Sequence, residues 1–273
     1  MFLGLDDTIE NEGHDRSSLE LPGKQVALAL AVAHAAKEPI VVVLVNGGPI
    51  AMAEFKDDQK VGAILDAFMP GQFAAEATMQ LLMGEVSPSG LLPITNYDKD
   101  FIHRRPITNL DLRGAGGITH RYFDGTPLWP FGFGLSYGEF KFAKAIMPGA
   151  KHTLHTTVAT AMDKPLCFVA TVTNAASAAM ASDVVLLAFI GSKLPDSPRN
   201  PKLCDFQRVA AVQPGKSRSV KLCVNSPLPA LALVDAKGNE RVVPGEYTVT
   251  VGVQGGVGGS GAGSVIGTVI VAA

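Results

Sequence analysis

The sequence predicts two successive domains, an α/β layer with a mostly parallel sheet over residues 1–140 and an all-β sandwich over residues 141–273. Three observations predict this. A chain of 273 residues has room for two ordinary domains. Before residue 140, short β-branched runs alternate with alanine-rich segments whose apolar residues recur at helical spacing. After it, short alternating runs are separated by Pro, Gly, Asn and Asp clusters, the pattern of consecutive strands.

Taken in order, Phe2 to Leu5 reads as the end of a strand, and Leu21-Pro-Gly then precedes a helix over Lys24 to Lys37. Ile40-Val-Val-Val-Leu-Val45 is a β-branched run suited to a strand buried on both faces, ended by Asn46-Gly-Gly-Pro49. Val61 to Phe68 predicts another strand, Pro70-Gly71 a turn, and Phe73 to Met83 a helix closed by Gly84. In the second half, strands are predicted over Leu166–Thr173, Val184–Ile190, Ser217–Val224, Tyr247–Val253 and Val265–Val271. The glycine-rich tract Gly252–Gly263 cannot sustain a strand interior and is expected to be a long flexible hairpin loop. The first strand has nothing before it to pair or cover it, so further elements are expected ahead of Met1.

Composition narrows the function. The chain is 47% hydrophobic and 18% charged with net charge −2, so it is not a disordered chain, and no basic excess exists to neutralise a nucleic-acid backbone. Its longest apolar stretches fall short of the roughly 20 residues that span a bilayer, and its first residues form neither a signal nor a transit peptide. Neither a nucleic acid nor a membrane is therefore expected as a partner. Cys167, Cys204 and Cys223 are odd in number and lack C-x-x-C spacing. Three small buried thiols are expected, although one pair could bridge in an oxidising compartment.

The densest polar constellation is Gly4-Leu-Asp-Asp-Thr-Ile-Glu-Asn-Glu-Gly-His-Asp-Arg16, directly after the first strand. Loops at the carboxyl ends of parallel strands are where α/β proteins place ligand chemistry. Acids there can supply a proton donor, and the same composition also fits a solvated loop preceding a helix. The aspartate spacing does not fit a calcium-binding EF-hand. Gly134-Leu-Ser-Tyr-Gly138 has the spacing of a nucleophile elbow but is followed by a strand pattern where a helix is required. Gly215-Lys-Ser217 reads as a turn between strands, and Phe131-Gly-Phe-Gly134 does not give dinucleotide-binding spacing. The histidines have no metal-ligand spacing; His152 and His155 fall on opposite faces of a strand. Tyr122, Phe123, Trp129, Phe131, Phe133 and Tyr137 fit either a sugar-stacking wall or the packing of a long loop.

One string of motifs is more specific. Residues 4–25, Val45-Asn-Gly-Gly-Pro49, Ala67-Phe-Met-Pro-Gly-Gln72, Pro88-Ser-Gly-Leu-Leu-Pro-Ile-Thr95 and Pro127-Leu-Trp-Pro-Phe-Gly-Phe-Gly-Leu-Ser-Tyr137 occur in this order. In these the chain resembles the C-terminal part of family-3 glycoside hydrolases, most closely the β-xylosidase branch of plants and fungi. The second half is similar to the fibronectin type III-like domain that ends many members, through Cys204-Asp-Phe-Gln-Arg-Val209, Gln213-Pro-Gly-Lys-Ser217 and Val243-Pro-Gly-Glu-Tyr247. The resemblance implies a truncated α/β sandwich followed by an immunoglobulin-like β-sandwich.

It further implies retaining, exo-acting hydrolysis of β-linked sugars such as xylo-oligosaccharides by two carboxyl groups roughly 5–5.5 Å apart. In the family the nucleophilic Asp lies on an N-terminal barrel, which would be this chain's partner alongside the oligosaccharide. The acid/base Glu comes from a loop of the α/β domain. Glu12 matches that Glu, with Glu10 as its rival; Asp15 and Arg16 match the motif's Asp-Arg pair as substrate-binding residues, Arg16 in a structural or sugar-contacting role. No cofactor and no metal is implied, and relatives of this kind are extracellular or in the cell wall. Local departures are Leu91, Ile118, His120, Ala74 and Ala75. With no barrel in the sequence, the isolated chain is expected to be inactive. The competing expectation is a non-catalytic carbohydrate-binding or interaction module derived from such an enzyme.

Overall fold

The structure, a computed structural model, describes residues 1–146, 152–155, 165–177, 180–224, 227–252 and 265–272. The chain forms two compact units that interleave along the sequence. One comprises Met1–Glu85, Ile94–Ala115 and Gly125–Trp129; the other comprises Val86–Pro93, Gly116–Asp124 and Pro130–Ala273. Three stretches ahead of residue 140 thus group with the later strands.

The first unit is built on β1 (Phe2–Gly4), β2 (Ile40–Val45) and β3 (Val61–Asp66), all parallel, in the order β1-β2-β3. Helix α1 (Gln25–Ala35) joins β1 to β2, and the short α2 (Ala53–Lys56) lies between β2 and β3. A single 3-10 turn, Gly71–Phe73, leads into α3 (Ala74–Leu82), and α4 (Phe101–Arg104) follows. The β-branched run of β2 forms the central strand because Val42, Val43 and Leu44 are buried on both faces. Each contributes about 1.5–3 kcal/mol by leaving water. Ala29 and Ala33, one turn apart on α1, are also fully buried, which lets the helix approach closely. Strand β3 ends at Asp66, two residues before the expected Phe68, because Phe68 adopts φ 51° and leaves the extended region.

The second unit is a β-sandwich. One sheet has the order β4 (Phe140–Ile146), β6 (Leu166–Asn174), β9 (Ser217–Val224). The other runs β5 (His152–His155), β13 (Val265–Ala272), β12 (Gly245–Gly252), β7 (Ser182–Ser192), β8 (Lys202–Val212), with only the β5–β13 pair parallel. Phe168, Ala170 and Val172 of β6 meet Leu186, Ala188 and Ile190 of β7 in one core. The Tyr247 hydroxyl donates to the Val243 carbonyl at 2.9 Å, the corner expected of an immunoglobulin-like sandwich. Smaller elements are α5 (Thr119–Tyr122), α6 (Pro227–Leu231), β10 (Leu233–Val234) and β11 (Glu240–Arg241). Strand β8 escapes the sequence pattern because it is an edge strand with Phe206, Gln207 and Arg208 all exposed, so no alternation marks it. The glycine-rich tract lies outside the described residues apart from Gly252 at the end of β12. No helix among the described residues is long and apolar enough to cross a membrane.

The expectation of three free thiols is corrected. Cys167 and Cys223 form a disulfide, with Cα atoms 4.0 Å apart, because the β6–β9 register sets them directly opposite each other. They lie 56 residues apart in sequence, so spacing alone could not pair them. The Cys223 N–H donates to the Asp205 carboxylate of β8 at 2.6 Å, which ties β9 to the facing sheet. Cys204 stays free; burial pushes its thiol up to about 12, and its sulfur donates to the Ala188 carbonyl at 3.3 Å.

Candidate functional site

The acidic loop starts directly after Gly4, the last residue of β1. A Cβ on Gly4 would sit 1.9 Å from the Val45 carbonyl oxygen, so only glycine lets β1 run beside β2 here. The Gln25 side chain closes the same point, accepting from the Gly4 N–H at 2.8 Å and donating to its carbonyl at 2.9 Å. The Asp6 carboxylate then accepts from the Thr8 hydroxyl at 2.6 Å and the Thr8 N–H at 2.9 Å. The hydroxyl bond, first among these, holds the Asp6 carboxyl below the usual range. The Ile9 and Glu10 N–H groups return to the Asp6 carbonyl, giving one tight turn.

Asn11 and His14 exchange two backbone hydrogen bonds of 3.1 Å, leaving Glu12 and Gly13 as the central residues of a second turn. Gly13 has φ 87°, which its missing Cβ permits. Glu12 therefore stands at the tip of a hairpin-like turn, exposed and with no hydrogen-bond or ionic partner among the described residues. Asp15 is likewise exposed.

Glu10 and Arg16 are held differently. The Arg16 Nε donates to Glu10 Oε2, and its two terminal nitrogens reach the carbonyls of Pro49 at 3.1 Å and Ser18 at 3.4 Å. The Arg16 side chain is only 10% exposed and that of Glu10 32%. One guanidinium thus ties the acidic loop to the Gly47-Gly48-Pro49 turn after β2. A Cβ on Gly47 would meet Glu10 Oε1 at 3.4 Å, and one on Gly48 would meet Arg16 at 3.5 Å, so this bare backbone is the surface on which the pair rests.

Three residues at the same end of the sheet were not legible as site residues. Asn46, fully buried, donates to the Gly48 carbonyl at 2.6 Å, while its Oδ1 has no partner among the described residues. Asp66, at the end of β3, is pushed up by burial against the opposing hydrogen bonds of the Phe68 N–H and the Asn46 side chain. Met69 is 59% exposed beside Gly47. Their sequence signals are position, at or just after the ends of two predicted parallel strands, and for Asn46 and Met69 the motifs Val45–Pro49 and Ala67–Gln72.

Residues 1–137 match the Glycosyl hydrolase family 3 C-terminal domain, and residues 187–254 match the Fibronectin type III-like domain. The chain belongs to glycosyl hydrolase family 3. The family-3 chain is 40% identical over 154 residues to "Beta-D-xylosidase 1" of Arabidopsis thaliana, covering 55% of this chain and 20% of that protein. It is 34% identical over 266 residues to "Probable exo-1,4-beta-xylosidase bxlB" of Aspergillus fumigatus, covering 92% of this chain and 33% of the relative. A solved GH3 exo-beta-xylosidase, in complex with a xylobiose aziridine probe, superposes with TM-score 0.85 at 25% identity, over 100% of this chain and 36% of the other. A β-glucosidase from Streptomyces venezuelae in complex with D-glucose gives TM-score 0.74 at 28% identity, over 98% and 33%. The family-3 chain thus spans about a fifth to a third of the length of the curated relatives named here.

The other motifs of the family-3 chain have local roles. Ser136 pairs with the Ser87 hydroxyl at 3.0 Å and accepts from the Gly138 N–H, and β4 follows it, so the elbow spacing carries no nucleophile. Residues 215–217 form the turn into β9. The aromatic residues form no single described wall. Trp129 packs on the first core with Lys56 over its ring, while Phe131 stacks on His120 and meets Phe189 edge-on. Burial, and then the neighbouring Arg121, pushes His120 down. No cluster of three or more metal-ligating side chains occurs among the described residues.

Proposed function

We propose that this chain supplies the acid/base half of an exo-acting, retaining β-xylosidase-like glycoside hydrolase, with Glu12 as the proton donor. The observation that carries the reading is the contrast between the two rival acids. Glu10 is committed to Arg16, whereas Glu12 has no partner among the described residues and is presented at the tip of its turn. A group that must give a proton to a leaving oxygen and later take one from water needs an uncommitted carboxyl with access to both. Family membership and the xylosidase names of the relatives support the reaction class.

In this reading a barrel domain of the family brings a nucleophilic carboxylate to the opposite face of the sugar. Glu12 protonates the departing glycosidic oxygen as the nucleophile attacks the anomeric carbon, and Glu12 then accepts a proton from the water that releases the sugar. Nothing among the described residues buries Glu12, so the dry setting such chemistry uses comes from the covering domain. Asp15 is an exposed neighbour available to a sugar hydroxyl, and Arg16 acts structurally. The disulfide supports an oxidising, extracellular or cell-wall setting.

The test is reconstitution. The chain alone should release no xylose from xylobiose, and an added family-3 barrel domain should restore cleavage. Glu12→Gln should abolish it, because the xylose leaving group needs protonation. Cleavage that survives Glu12→Gln but is lost with Glu10→Gln would transfer the role to Glu10, and cleavage by the chain alone would refute the two-part scheme.

A further inference from the structure

Phe68 is the strained point nearest the candidate site. A bulky aromatic residue at φ 51° is an outlier that surrounding structure must impose. Three bonds impose it: the Ala67 N–H reaches the Leu44 carbonyl at 3.0 Å, the Phe68 N–H the Asp66 carboxylate at 3.2 Å, and the Asn46 N–H the Phe68 carbonyl at 3.1 Å. The backbone turn that follows β3 is thereby locked against the end of β2. Met69, the next residue, is more than half exposed.

A point one Cβ above Gly47 lies 3.7 Å from Met69 Cε and 3.4 Å from Glu10 Oε1, so a thioether methyl and a carboxylate oxygen flank the same patch of side-chain-free backbone. All of this sits at the carboxyl ends of three parallel strands. An apolar wall, an acceptor and a bare floor suit a pyranose, whose C–H face is apolar and whose rim carries hydroxyl donors. Methionine is polarisable and has three rotatable bonds, so it can follow a sugar face without demanding one ring pucker.

We infer that Met69 is a sugar-contacting residue that packs against a β-linked xylo-oligosaccharide beside the acidic loop. This rests on the glycosidase reading above and adds an apolar contact to the sugar face. It is tested on the intact chain carrying 13C-methyl methionine, titrated with xylobiose, the Met69 signal being identified by its loss in Met69→Leu. The expected result is a saturating shift of the Met69 methyl while the methyls of Met79 and Met83, also exposed, stay in place. Met69→Asp should weaken binding about tenfold, read from the Gly47 and Gly48 amides. No saturating shift, equal shifts at all three methyls, or unchanged binding by Met69→Asp would overturn the inference. The shift reports binding to the chain alone and needs no cleavage. A failed cleavage test with a normal Met69 shift would therefore sink the acid/base assignment alone, and working cleavage without the shift would sink this one alone.

Discussion

Removing the Cys167–Cys223 bond by the double substitution Cys167→Ser with Cys223→Ser relaxes the unfolded state of the sandwich far more than it disturbs the folded one. Cys167 and Cys223 are partly buried and alternate with the core residues of β6 and β9, so little core packing changes. The bond closes a loop of 56 residues, and the chain-entropy relation for that length gives about 4 kcal/mol at 25 °C. For a unit of this size that is about 8–16 °C in Tm. The assay is thermal unfolding followed by circular dichroism at matched pH. The sandwich transition should fall by this amount while the transition of the parallel-sheet unit stays fixed, because the bond lies wholly in the second unit. Thiol titration of the denatured, unreduced wild type should find one reactive group, Cys204. Three reactive thiols, or a sandwich transition unmoved by the double substitution, would refute the reasoning.

Two further outcomes concern the first unit. Arg16→Ala should destabilise it by about 1–3 kcal/mol in urea unfolding, since Glu10 and the Pro49 carbonyl lose their donor, whereas Glu12→Gln should stay within about 0.5 kcal/mol. Asp66 is expected to make stability fall as pH rises. Its folded carboxyl is raised above the ordinary 3.8, so the native state holds the proton over a window in which the unfolded chain has released it. Asp66→Asn should be the more stable form at neutral pH, with the advantage vanishing below pH 4, as read from unfolding midpoints at the two pH values.

The alternation of β6 and the buried β-branched run of β2 could be read directly, because each strand's environment repeats along its own sequence. The motif order from Gly4 to Tyr137 was equally legible and carried the family. Edge strand β8 was not, since an exposed face erases alternation, and the cysteine pairing was not, since register is a property of two strands together. The same division runs through the candidate site. Sequence by itself determined the fold class, the family and the loop in which the acids sit, for these depend on local pattern and motif order. Only the tertiary structure separated Glu10 from Glu12, by bringing Arg16, itself anchored on the Pro49 carbonyl, against one and leaving the other without a partner among the described residues, and only it set Met69 beside Gly47. Such contacts join residues from three strand ends, and no spacing within a single segment encodes them.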